Sequence, residues 1–144
     1  MVPRAAYSIA SVDSQETVGE NGAATNAIDG DPATKWHTQW YAQVALMPHQ
    51  ITIDLGAAHH VAGLRYLPRQ DGGTNGDIAH FQVEVSADGE HFESAFEGTF
   101  SGSKREKEVV FTARSARFVR LQALSAVNGN PFAAAAELTV LEQG

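Results

Sequence analysis

The sequence predicts an all-β fold, an antiparallel two-sheet sandwich of the jelly-roll kind. Three observations point there: apolar residues alternate with polar ones in short runs, Gly, Asn, Asp and Pro clusters separate those runs, and no window sustains an apolar stripe at helical spacing. In chain order, "QITIDLG" sets Ile51, Ile53 and Leu55 on one face and Thr52 and Asp54 on the other, a half-buried strand. "HVAGLRYLPR" follows as a second apolar run. "HFQVEVSADGEHFES" places Phe81, Val83 and Val85 inward and Gln82, Glu84 and Ser86 outward, then turns at Ala87-Asp88-Gly89, which makes a hairpin. "EKEVVFTA", "SARFVRLQAL" and "AAELTVL" complete a set of about eight short strands. The alanine run 133–136 is too short to change the class.

A chain of 144 residues is the size of one domain, so 1–144 is taken as a single module, and as a piece of a larger multidomain protein. Ten Lys+Arg against seventeen Asp+Glu give a net charge of −7, which argues against a grip on nucleic acid or on an anionic membrane surface. There is no cysteine, so disulfides, thiolate nucleophiles and cysteine-based zinc sites are excluded. No apolar run approaches the roughly 18 to 20 residues that span a bilayer, and "MVPRAAYSIA" lacks the apolar middle of a signal peptide.

In a sandwich the strands form the core and the connecting loops present convergent polar groups. Three stretches are long or oddly composed: residues 13–50, 68–79 and 125–134. In the first, "NAIDGDPATKWHTQW" surrounds Gly30 with Asp29, Asp31 and Thr34, whose oxygens either converge on a hard cation, Ca2+ or Na+, or form a solvated Asx-turn. Trp36 and the adjacent His37 point to opposite sides of an extended chain, so Trp36 belongs to the core and His37 to solvent or a pocket. Trp40 is either a lid over the sandwich end or a binding platform.

Catalytic signatures are missing. No HExxH, GxSxG, Walker-type or GxGxxG motif stands in a matching context. Glu16 and Glu20 have no neighbours suited to paired acid–base work, and His59 and His60 are expected in a solvated turn where they cannot share a metal. Arg117 and Arg120 are expected to be solvated or to brace the last strands.

"NAIDGDPATKWHT", "ITIDLGAAHHVAGLRYLPRQDG", "FQVEVSADGEHF", "ARFVRLQAL" and "AAELTV" occur in this order over almost the whole chain. Together they resemble the discoidin-like superfamily, also called coagulation factor C domains, and within it carbohydrate-binding module family 32. The "LPRQDG…NG" loop is similar to the galactose-binding domains of bacterial sialidases and of galactose oxidase. The resemblance implies a β-sandwich jelly roll with no catalysis of its own, carried in a secreted protein and joined in cis to a glycan-active catalytic domain. It implies a structural Ca2+, with Na+ as the alternative, held by the Asn26 and Ala136 carbonyls, Asp29, Asp31, Thr34 and Glu137. It also implies a site for galactose-containing glycans: His37 and Arg69 at the axial O4 and its neighbours, Asn75 at O3, Phe132 or Trp40 stacked on the ring, and Glu20 at the rim.

Planar and amide groups can each bond two hydroxyls, which gives directional readout of an axial hydroxyl. From spacing alone, Arg69 could instead pair with Asp71 or Asp77, and Asn75 before Gly76 could be an ordinary turn residue. Asp77 stands where relatives often have an aromatic, and its charge near the site would favour an amino sugar such as glucosamine, or simply disfavour sialic acid and uronates. A shallow site for one ring gives an expected affinity of roughly millimolar to tens of micromolar. The rival readings are a glucosamine or chitosan binder, a protein or phospholipid adhesion domain, which calls for exposed apolar spikes or basic loops that the sequence does not plainly offer, and an enzyme in its own right, which would require turnover from these 144 residues alone.

Overall fold

The computed structural model describes residues 1–144 and is a β-sandwich with no α-helix. Its strands are β1 (Ser8–Val12), β2 (Trp36–His37), β3 (His49–Leu67), β4 (His80–Ser86), β5 (Glu93–Thr99), β6 (Lys107–Ala123), β7 (Ala134–Ala135) and β8 (Glu137–Glu142). Two short 3-10 helices, Arg4–Ala6 and Ala24–Ile28, lie in the N-terminal part. None of the helices is long and apolar enough to cross a membrane.

The expected all-antiparallel pairing is present, in the order β1-β3-β6-β4-β5, with β8 beside the second half of β3 on the edge that β1 occupies beside the first. The strands are divided differently from the sequence reading. "QITIDLG" and "HVAGLRYLPR" are one bent strand, β3, and "EKEVVFTA" and "SARFVRLQAL" are one bent strand, β6. The β3–β6 register breaks between Asp54 and His59, where Gly56 has φ 79°, and the exposed stretch 56–58 separates two buried halves. Such a bulge lets a strand bend from one layer toward the next, so β3 and β6 run the length of one six-stranded sheet, with β2 and β7 as a separate pair. His59 and His60 therefore sit in this strand and not in the expected solvated turn, and His59 Nδ1 lies 2.9 Å from Glu142 on β8. Arg117 pairs with Asp54, while Arg120 donates to Thr52 and stacks over Phe92, so both brace the sheet.

The residues set inward by the alternation, Ile51, Ile53, Leu55, Phe81, Val83 and Val85, are buried, but so are Thr52 and Ser86, which it set on the outer faces. Ile51, Ile53, Leu55, Phe81, Val83, Val85, Val119, Leu121, Leu138 and Val140 form one core with Trp36, which is fully buried. The Ala87–Gly89 turn is closed by Ser86 Oγ, which accepts from Gly89 N at 2.9 Å. The alanine run has a packing reason. β2 pairs with β7 through Trp36 opposite Ala135 and His37 opposite Ala134, and Gly76 packs so closely on Ala134 that a Cβ there would lie 2.6 Å from the alanine Cβ. A larger side chain at 134 would push Gly76 and the adjoining Asn75 outward.

Candidate functional site

The loop 13–35 is long because it is internally bonded. Glu16, almost fully buried, accepts backbone N–H groups of Val18 and Gly19 through Oε2 and of Trp40 and Tyr41 through Oε1. These four donors, led by Trp40, hold its carboxyl at a pKa of about 2. Its role is to pin the segment bearing Trp40, which is not an acid–base role. Lys35 does the same for charged groups: its Nζ lies 2.8 Å from Glu20 Oε2 and 3.2 Å from Asp71 Oδ2, tying the first loop to residues 68–79. Sequence gives no hint of either fixing point, since a Glu and a Lys far from their partners carry no local signal.

These ties bring Glu20, His37, Trp40, Arg69, Asn75 and Phe132 around one cavity of about 390 Å3. All six sugar-site residues inferred from the sequence are in that set. His37 is 3% exposed and its ring tilts at 44° to Phe132, with centroids 5.5 Å apart. His37 Nδ1 is 2.6 Å from the Thr38 carbonyl, so Nδ1 carries the proton and Nε2 is an acceptor. Burial lowers the His37 pKa below its ordinary value, against the opposing pull of the Thr38 carbonyl and Glu20.

Arg69 pairs with Asp71 and not with Asp77. Nε and Nη2 donate to the two Asp71 oxygens at 2.7 and 2.8 Å, and Nη1 donates to the Asn75 carbonyl at 2.8 Å. That fork, led by the Arg69 bonds, holds the Asp71 carboxyl well below the usual range. One N–H on each of Nη1 and Nη2 remains, held in a fixed position by the three bonds. Gly73 makes room for this arrangement: a Cβ there would lie 2.5 Å from the Arg69 Cζ. Glu20 is less free than a rim contact, because Oε1 accepts from Trp40 Nε1 at 2.9 Å and Oε2 from Lys35. The indole is thereby fixed at the cavity edge, 39% exposed.

Asp77 departs from expectation. It is 5% exposed and paired with Lys104 Nζ, with no contact to the cavity, because the backbone reverses at Gly76, φ 97°. The charge invoked for an amino sugar is turned inward and neutralised. Exposed apolar residues, which the sequence does not plainly offer, are present: Tyr41, Val44 and Leu46 follow Trp40 on the same segment.

A second cluster lies beside the first loop. Asp29 Oδ1 accepts from Asp31 N at 2.9 Å, Oδ2 accepts from Thr34 Oγ1, and Asp31 Oδ1 accepts from Ala33 N. Asn26 uses its side chain to bridge Asn21 and the Lys35 carbonyl, leaving only its own carbonyl as a ligand. Glu137 enters from β8, next to Ala136. Its carboxylate is buried; Arg4 Nη1 stands 2.6 Å from Oε2 as an ion pair, yet neither oxygen has a hydrogen-bond partner. Burial first, then Asp29, pushes the Glu137 pKa up to about 7. A buried carboxylate whose oxygens lack hydrogen bonds, paired only with Arg4 and facing a second carboxylate, is a donor set that fits a hard cation. The exposed group Asp88, Glu90 and His91 lies elsewhere and closes its own turn.

Comparison with known proteins places these features in context. The F5/8 type C domain model matches residues 10–138. The chain is 42% identical over 142 residues to a sialidase of Micromonospora viridifaciens, covering 97% of this chain and 22% of the sialidase. It is 40% identical over 118 residues to galactose oxidase of Gibberella zeae, covering 81% of this chain and 17% of the oxidase. The chain thus spans about a fifth of the length of these relatives. Among solved structures, CpGH89CBM32-5 of Clostridium perfringens, in complex with GalNAc-β-1,3-galactose, superposes with a TM-score of 0.89 at 38% identity, covering 97% of this chain and 98% of that one. The family 32 carbohydrate-binding module of C. perfringens NanJ, in complex with galactose, gives a TM-score of 0.83 at 30% identity, with 96% of each chain covered.

Proposed function

The chain belongs to the F5/8 type C, discoidin-like family, as a family 32 carbohydrate-binding module, and we propose that it binds terminal galactose-type sugars without catalysing their conversion. The observation that carries this reading is the cavity itself, where two Arg69 donors, the His37 Nε2 acceptor and the Asn75 amide converge between Phe132 and Trp40. An axial hydroxyl can accept from Arg69 while donating to His37, and the neighbouring hydroxyl meets Asn75. The apolar C–H face of the ring rests on an aromatic, Phe132 beside His37 or Trp40 at the opposite rim. An equatorial O4, as in glucose, would leave both Arg69 donors without a partner in a partly closed site, which is where discrimination arises. In this reading the module targets an attached glycan-active enzyme outside the cell, and repeated copies or the parent protein supply avidity.

The same reading gives the second cluster a bracing role. Asp29, Asp31, Thr34, Glu137 and the carbonyls of Asn26 and Ala136 would hold Ca2+, or Na+ in its place, joining the first loop to β8. A bound cation supplies charge neutralisation to Asp29 and Glu137 and leaves the sugar chemistry to the cavity.

The glucosamine alternative loses its supporting charge with Asp77 buried against Lys104 and Glu20 committed to Lys35 and Trp40. The adhesion alternative gains Tyr41, Val44 and Leu46 as exposed apolar residues. Calorimetric or NMR titration with galactose, N-acetylgalactosamine, lactose, glucose and glucosamine decides among them. Saturable binding of the first three and silence of glucose support the proposal. Equal affinity for glucose, or binding to phosphatidylcholine or phosphatidylserine vesicles with no sugar response, rejects it.

Acidification gives a further expected result. Because His37 must accept through Nε2, galactose affinity stays level from about pH 8 to about pH 6.5 and declines below that, as the depressed His37 pKa is crossed and the acceptor becomes a donor. Following the His37 ring resonances during titrations at each pH checks this. Affinity that rises on acidification would contradict the assigned tautomer.

A further inference from the structure

A primary amide offers a ligand its donor or its acceptor depending on which way it is turned. For Asn75 the turn is set by the loop across from it, between β6 and β7. Asn128 Nδ2 lies 2.9 Å from Asn75 Oδ1, and Asn130 Nδ2 lies 2.8 Å from the same oxygen. The polarity of these contacts starts in the backbone. The Asn130 N–H, which can only donate, meets Asn128 Oδ1 at 3.0 Å, so Asn128 must present its NH2 group on the other side. That NH2 needs an acceptor, which fixes Asn75 with Oδ1 toward the loop. Both lone pairs of Oδ1 are then occupied, and Nδ2, with no protein partner, is left for the cavity that Asn75 lines.

We propose that Asn128, assisted by Asn130, is a specificity-determining positioning residue that makes Asn75 a pure donor toward the ligand, although neither residue lines the cavity. The inference rests on the galactoside reading and sharpens it: the sugar oxygen at Asn75 must accept, so its own proton points away, toward a neighbouring hydroxyl or solvent. The cavity then offers donors from Arg69 and Asn75 and its acceptor from His37 Nε2, an arrangement in which ligand hydroxyls align in one direction.

Asn128→Asp tests the relay. The substitution keeps the oxygen that receives the Asn130 N–H and replaces the NH2 with a second oxygen, which repels Asn75 Oδ1. Asn75 turns, gives Nδ2 to the new carboxylate and shows Oδ1 to the cavity, the Asn130 Nδ2 bond to Oδ1 being given up for the stronger one to the carboxylate. The expected result is about a tenfold or greater loss of galactose affinity, larger than the loss in Asn128→Ala, which leaves Asn130 still donating. A merely structural role predicts the reverse order or equality. Galactose analogues carrying fluorine or hydrogen in place of one hydroxyl, at C3 and at C4, supply a second readout. Fluorine accepts weakly and cannot donate, so at the Asn75 position the fluoro sugar outbinds the deoxy sugar in the wild type and loses that advantage in Asn128→Asp. Wild-type affinity in Asn128→Asp, or an Asn128→Ala loss at least as large, overturns the relay. If wild type binds no galactoside at all, the galactoside reading has failed, and a crystal structure of Asn128→Asp judges the relay alone. Asn75 within hydrogen-bond distance of the new carboxylate supports it, and Asn75 driven away overturns it.

Discussion

Arg69→Ala abolishes measurable galactose binding and leaves the domain folded. Arg69 carries two of the cavity's donors, and its side chain is set by the Asp71 fork and by the Asn75 carbonyl before any ligand arrives. Hydrogen bonds from a charged donor contribute about 1.5 to 3 kcal/mol each when lost from a desolvated site. A shallow site binding with only about −4 to −6 kcal/mol cannot absorb that loss, and the dissociation constant moves beyond about 100 mM. Arg69→Lys fares little better, because an ammonium keeps the charge but not the planar fork that grips Asp71 and aims two N–H bonds. Stability changes little in either variant, since Asp71 retains Lys35 at 3.2 Å and the Arg69–Asp71 pair lies at the surface of a core it does not enter. Galactose titrations read against a thermal melt separate the two effects. A variant that melts like wild type and still binds galactose within a few-fold would remove Arg69 from the site.

The parts legible in sequence are those with a local signature. Period-two alternation marks the inward faces of β3, β4 and β6, and the spacing of Asp29, Asp31 and Thr34 marks an oxygen-rich turn. The residues lining the cavity are reached differently, through ordered motifs over the whole chain, because His37 on the two-residue β2, Arg69 and Asn75 between β3 and β4, and Phe132 between β6 and β7 share no period. What sequence misses depends on contacts between distant segments. The merging of two runs into β3 follows from a bulge at Gly56 that alternation cannot reveal, since each half keeps its own register. Neighbours in sequence put Asp77 at the cavity, but a positive φ at Gly76 and the partner Lys104 turn it inward. Glu16, Lys35, Asn128 and Asn130 escape notice for the same reason: each is an ordinary polar loop residue until the fold supplies a partner, as far as 55 positions away for Asn130.

If the first loop and β8 hold the proposed Ca2+, removing it lowers the melting temperature by roughly 5 to 10 °C. A ligand present at about 100 times its Kd and bound only by the folded state stabilises by about 2.7 kcal/mol, and a domain of this size shifts by roughly 2 to 4 °C per kcal/mol. The physical source is the Asp29–Glu137 pair, two carboxylates brought together by loop and strand, one of them buried with neither oxygen hydrogen-bonded. Arg4 offsets only part of that charge from the edge, its side chain 27% exposed. The consequence is a crossing of stabilities. With calcium, Glu137→Gln is less stable than wild type, because a neutral amide is a poorer ligand for a hard cation. In EDTA, Glu137→Gln is the more stable of the two, because it removes a buried carboxylate that faces Asp29 and that Arg4 alone offsets only in part. Asp29→Asn also loses the calcium response; its Oδ1 still accepts from Asp31 N and only the Thr34 bond reverses, the amide then donating to Oγ1, so in EDTA it gains less than Glu137→Gln, which removes the buried charge itself. Galactose affinity falls only modestly without the cation, through looser placement of Lys35 and His37 just beyond the turn. Thermal melts of the three proteins in EDTA and in millimolar calcium decide it: a wild-type melting point indifferent to both additions, or a Glu137→Gln protein less stable than wild type in EDTA as well, rules out a cation between the first loop and β8.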